Sequence, residues 1–157
     1  MDNLINEPIV TSEMLIRKPL AEVFEAFINP DITTKFWFTK SSGRMQTGKL
    51  LTWEWQMYGA SAEVDVTEIV ENERIAINWG DADAKTSVEW TFASLSDSET
   101  FVSIVNTGFT GSSNDKVMQA IDSMGGFTIL LCGCKAYLEH GIELNLIADK
   151  APQANIR

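Results

Sequence analysis

Apolar and polar residues alternate with period two through most of the stretch from Arg44 to Phe109, the pattern of strands with one buried face. Leu51, Trp53, Trp55 and Met57 form one inward row, with Thr52, Glu54 and Gln56 on the other side. Tyr58-Gly59-Ala60-Ser61 reads as a turn, after which Ala62, Val64 and Val66 alternate with Glu63, Asp65 and Thr67. Further rows are Ile75, Ile77 and Trp79, then Val88, Trp90 and Phe92, then Val102, Ile104 and Asn106. Polar turns separate them and no helical pattern intervenes, so the spacing predicts an antiparallel sheet with one apolar face.

Both flanks of this region change period. Ile9 to Arg17 reads as a first strand. In Pro19 to Ile28 the residues Leu20, Val23, Phe24 and Phe27 recur at three and four, which predicts a short amphipathic helix. Asn29-Pro30-Asp31 ends it and starts a second short helix, with Asp31 as the expected cap of the turn leading to Phe36, Trp37 and Phe38. A long helix is expected from about Asn114 to His140, capped by Asn114 or Ser113 and stopped by Gly141. Its expected apolar stripe is Val117, Ile121, Met124, Thr128, Leu131 and Leu138, widened by Met118, Phe127, Leu130, Cys134 and Tyr137. Gly125, Gly126 and Gly133 each cost about 1 kcal/mol relative to Ala inside a helix, which suggests a close approach, a bend, or room for a ligand. The class is therefore α+β: a curved antiparallel sheet wrapped around a long C-terminal helix, with two short helices after the first strand. We read residues 1–157 as one domain, with 1–8 and 142–157 as flanking segments.

Composition narrows the function. Acidic residues outnumber basic ones 22 to 12, a net charge of −10, which disfavours nucleic acid and anionic membrane surfaces as partners. The N-terminus lacks the basic and apolar regions of a secretory signal, and the longest apolar run, Ile129 to Cys134, is too short to span a bilayer. A cytoplasmic location follows, with Cys132 and Cys134 as reduced core thiols. With one His in the chain no metal site, and no cofactor, is expected.

The order of elements resembles the helix-grip (START/Bet v1-like) arrangement of the START-like (SRPBCC) superfamily. Within it the chain is similar to the branch named after the activator of Hsp90 ATPase. The matching pieces are Lys18 to Phe24, Trp53-Glu54-Trp55, Glu73 to Trp79, Asn106-Thr107-Gly108-Phe109 and Lys135 to Gly141, spread over about residues 9 to 141. The resemblance implies an apolar cavity between sheet and helix, used by members for lipids, hormones or polyketide-like aromatics. It also implies a co-chaperone-like interaction module as an alternative, in a monomer or homodimer. A cyclase-like or hydrolytic enzyme is the second alternative. The strand ending Thr-Gly-Phe often carries His where this chain has Asn106, which removes a proton shuttle and tilts the reading away from catalysis.

The expected cavity lining is Trp37, Trp53, Trp55, Met57, Val64, Ile77, Trp79, Trp90, Phe92, Ile104 and Asn106 from the sheet side. Met124, Phe127, Thr128 and Leu131 complete it from the helix. Five Trp and eight Phe suit a flat apolar ligand, although the same rings would equally fill a solid core. Asn106 would either orient a ligand or satisfy backbone at a strand end. Lys35 and Arg44 are surface cations that a ligand carboxylate at the mouth would meet. His140 suits the negative end of the helix.

Overall fold

A computed structural model describes residues 7–152; of the flanks, residues 1–6 and 153–157 lie outside the described residues. The expected architecture is present. Seven strands form one sheet in the order β1-β7-β6-β5-β4-β3-β2, and every neighbouring pair is antiparallel. The strands are β1 (Val10–Ile16), β2 (Lys40–Ser41), β3 (Leu50–Trp55), β4 (Ala60–Val70), β5 (Arg74–Gly80), β6 (Thr86–Ser96) and β7 (Glu99–Thr107). Between β1 and β2 lie α1 (Leu20–Ile28) and α2 (Pro30–Thr33), and after β7 come α3 (Ser113–His140) and α4 (Leu146–Lys150). The period-two rows fall on the buried face as read: Val64, Val66, Ile75, Ile77, Val88, Trp90, Val102 and Ile104 are all buried.

Two caps differ from expectation. Asn29, not Asp31, caps α2, because its side-chain oxygen accepts the Asp31 backbone N–H at 3.0 Å. Ser112, not Asn114 or Ser113, caps α3, in a reciprocal box where Ser112 Oγ accepts from Asp115 N–H and Asp115 accepts from Ser112 N–H. Asp115, three residues on, selects Ser112 as the start. At the far end Gly141 takes the left-handed conformation (φ 68°) that stops the helix.

Helix α3 is long and apolar enough by composition to cross a membrane, and its second half is gripped by the sheet. Phe127, Leu130, Leu131 and Cys134 are buried there against the sheet core. A polar clamp fixes its last turns to β1. Glu139 accepts from the Arg17 backbone N–H and from Lys135 Nζ, each at 2.7 Å, while Lys135 also donates to the Leu15 carbonyl at 2.8 Å. Burial alone would raise the Glu139 carboxyl, but these hydrogen bonds and the nearby Lys135 and His140 charges outweigh it, so its pKa lies below the ordinary 4.5. A carboxyl depressed in the folded state stabilises above its unfolded value, and that stability disappears as pH falls through the lower folded one. Glu139→Gln therefore lowers unfolding stability by about 1–2 kcal/mol at pH 7, and the difference from the parent shrinks toward zero below about pH 4. Urea unfolding at pH 7 and pH 3 measures both.

Candidate functional site

The apolar stripe expected on the first half of α3 is exposed, with Ile121 and Met124 beside the β1 edge of the sheet. Val117, Ile121 and Met124 are 50%, 63% and 41% exposed, and Met118 is 59% exposed. At 3.6 residues per turn, Gln119, Asp122, Ser123 and Gly126 occupy the opposite side of the helix, and these are the residues turned toward the sheet. The inward surface of this half-helix is polar and small, whereas the inward surface of the second half is apolar and large. That change of character marks where the sheet and the helix part.

Two adjoining cavities occupy the gap. One, of about 270 Å³, lies between the ends of β5, β6 and β7 and the helix, and is lined by Trp37, Trp79, Thr86, Asn106, Phe109, Gln119, Asp122, Ser123, Gly126 and Phe127. The other, of about 320 Å³, is lined by Trp37, Trp55, Tyr58, Ala60, Trp79, Asp122, Gly126, Ile129, Ile147, Lys150 and Ala151. Trp37, Trp79, Asp122 and Gly126 belong to both, so the two form one cleft divided by indole rings. A third space of about 100 Å³, lined in part by Lys35, Met57 and Gly133, lies under residues 143–148 and is too small for most organic ligands.

Trp37 organises the floor. Its ring is within 4.9–6.1 Å, centroid to centroid, of Phe38, Trp53, Trp55, Trp79, Trp90 and Phe127. It reaches this position because the short α2 and the turn after it carry Phe36-Trp37-Phe38 inward from the open side of the sheet. Beneath it Trp90 is fully buried, and its indole N–H has no hydrogen-bond partner among the described residues. The rings of Phe27, Trp37 and Phe127 lie 6.0–6.3 Å from it, and aromatic faces are the weak acceptors within its reach.

Asn106, 2% exposed, joins sheet to helix at the inner end of the first cavity. Its amide donates to Thr86 Oγ1 at 3.0 Å and the Ser87 carbonyl at 2.8 Å, and its oxygen accepts from Ser123 Oγ at 2.7 Å. The network satisfies the buried amide on both sides. It also fixes Ser123, and with it the phase of the helix over the cleft.

Of the expected lining residues, the structure places Trp37, Trp55, Trp79, Asn106 and Phe127 on the cleft. Trp53, Val64, Ile77, Trp90, Phe92, Ile104 and Leu131 are buried and line neither cavity; Trp37 covers Trp53 and Trp90, and Phe92 packs against Phe24 and Phe27. Met57 lies off the strand, in the 3-10 turn Gln56–Tyr58, and faces the small third space. Met124 points outward, and Thr128 faces β1, where its hydroxyl is 3.1 Å from that of Ser12. Arg44 is held by two hydrogen bonds of 2.8 Å to Glu25, on α1.

The residues that sequence reasoning missed are Thr86, Phe109, Gln119, Asp122, Ser123 and Gly126 around the first cavity, and Tyr58, Ala60, Ile129, Ile147, Lys150 and Ala151 around the second. Residues from α4 take part because the chain after Gly141 folds back, with the Tyr58 hydroxyl donating to the Ile147 carbonyl. The signal for the helix residues was in the sequence: Gln119, Asp122, Ser123 and Gly126 share one side of the first half of α3, opposite its apolar stripe. Asp122, Tyr58 and Lys150 are the ionisable side chains on the cleft, and none is hydrogen-bonded to another among the described residues.

The sequence matches the model of the activator of Hsp90 ATPase homolog 1-like protein family over residues 17–139. No curated protein matches it. Among solved structures, protein SSP2350 from Staphylococcus saprophyticus is 28% identical with a TM-score of 0.73, the match covering 87% of this chain and 96% of that one. Protein MLL2253 from Mesorhizobium loti is 16% identical with a TM-score of 0.75, over 86% of this chain and 99% of that one. The Aha1 dimer from Colwellia psychrerythraea is 16% identical with a TM-score of 0.73, over 85% and 98%. The last two share the fold.

Proposed function

Because the chain belongs to the family of activator of Hsp90 ATPase homolog 1-like proteins, we propose that it is a small-molecule binding module whose site is the cleft between the aromatic face of the sheet and the first half of α3. The observation that carries this reading is Gly126. It lines both cavities, and a Cβ built on it meets nothing within 4 Å. A mid-helix glycine costs about 1 kcal/mol relative to Ala, and no close contact here requires it. What it preserves is open space between Trp37, Trp79 and the helix. Gly133 is a different case, since a Cβ there would lie 3.4 Å from the Phe36 side chain and carbonyl.

The volumes and lining suit a compact, mainly apolar molecule with a few polar groups. Cleft binding of such a molecule places it against Trp37, Trp55 and Trp79, so titration with an aromatic probe such as naphthalene should quench tryptophan fluorescence saturably, with one site per chain. Quenching that stays linear in probe concentration would dismiss the cleft as a site. The free thiols Cys132 and Cys134 fit a reducing, cytosolic setting.

A second reading, protein interaction of the co-chaperone kind or self-association, is favoured by one feature. Ile9, Ile121 and Met124 adjoin in a shallow apolar depression on the outer side of α3, and such exposed patches accompany interfaces. Stimulation of a chaperone ATPase, or a dimer in sedimentation, would favour that reading.

A further inference from the structure

Where Trp37, Trp55 and Trp79 meet on the second cavity, the three indoles lie at mutual centroid distances of 5.7–6.0 Å with interplanar angles of 56–68°. They are neither stacked nor parallel, and at these distances they pack against one another edge to face or tilted. Trp55 and Trp79 are only half-buried, so part of their ring surface faces the open space. Tyr58 adds a fourth aromatic ring, and Asp122 lines the same cavity from the helix. Its carboxylate has no hydrogen-bond or ion-pair partner among the described residues. An open aromatic face carries negative quadrupole charge, and a carboxylate at the rim adds a full negative charge, the combination that holds an ammonium group.

We propose that the cleft selects organic cations: a molecule with an apolar body and a substituted or quaternary ammonium group, the ammonium seated on the open ring surface of Trp55 and Trp79 beside Asp122. The proposal rests on the reading of the cleft as a ligand site and adds the charge of the ligand. One cation opposes it. Lys150 lines the same cavity, with its Nζ 3.6 Å from the Cβ position of Gly125, and it forms no ion pair with Asp122 among the described residues. The chain's net charge of −10 also steers cations toward the surface.

A matched pair of probes separates charge from shape: benzyltrimethylammonium and its neutral carbon isostere, neopentylbenzene, each titrated by tryptophan fluorescence and calorimetry. The cation should bind about 10-fold or more tightly than the isostere, in the range expected for a partly desolvated cation on aromatic faces with a carboxylate. Asp122→Asn should cut the cation's affinity about 10-fold and leave the isostere unchanged, and Lys150→Gln should raise the cation's affinity. Equal binding of the two probes, unaffected by Asp122→Asn, overturns the cation proposal and leaves the ligand site standing. Saturable binding of neither probe overturns both. Cation binding insensitive to both Asp122→Asn and Gly126→Leu reports adsorption to the acidic surface and also overturns the proposal.

Discussion

Gly126→Leu is expected to abolish saturable binding of any cleft ligand, by more than 10-fold in affinity, while the protein remains folded and gains helix stability. The two halves of this result have separate causes. In the helix interior glycine is the poorest residue short of proline, so leucine, or alanine as the smaller control, should raise unfolding stability by up to about 1 kcal/mol. Nothing stands within 4 Å of the added Cβ, so no clash of that methyl offsets the gain, and the leucine branches extend into open space. In the cleft, the leucine branches enter space shared by both cavities, between Trp37, Trp79 and Asp122. Gly126→Ala should retain most binding, because one methyl removes little of about 270–320 Å³. The measurements are urea unfolding and probe titration on the same three proteins. A folded Gly126→Leu protein that binds as tightly as the parent would remove the cleft from consideration. Loss of both stability and binding would instead show that the open space is absent in solution.

The contrast between the legible and illegible parts of this chain follows from what sets each. Strand rows were readable because alternation fixes which face is buried, and a one-residue slip would turn Trp90 and Ile104 to solvent. The first half of α3 was misread because its most apolar side is exposed. Val117, Ile121 and Met124 form a regular stripe, and periodicity alone assigns such a stripe to the core. The inward side holds Gln119, Asp122, Ser123 and Gly126 instead, residues that only make sense beside a cavity and a buried partner such as Asn106. Hydrophobic periodicity locates cores, so it fails where the fold leaves a site open. The depth of the cleft was illegible for a related reason. Trp37 lies in the short segment between α2 and β2, where no period exists to place it, yet its ring decides that Trp53 and Trp90 are core and that Trp55 and Trp79 are walls.

That placement makes Trp37→Ala the substitution with the largest expected loss of stability, about 3–5 kcal/mol. Trp37 is 7% exposed and touches six other rings, from α2's following turn, β3, β5, β6 and α3. Removing it deletes the transfer free energy of an indole and leaves a void that these rigid rings cannot close together. A domain typically has only about 5–15 kcal/mol in hand, so the midpoint of urea unfolding should fall by a large fraction. Trp37→Phe, which keeps an aromatic plug, should cost much less than alanine. Binding adds a second readout. In Trp37→Ala the two cavities merge above Trp53 and Trp90, so a larger aromatic probe should gain affinity relative to naphthalene even as the fold weakens. If Trp37→Ala costs less than about 1 kcal/mol, the indole is a displaceable plug rather than a structural hub. The cleft would then extend down to Trp53 and Trp90, and the deeper lining read from the sequence would come back into contact with the ligand.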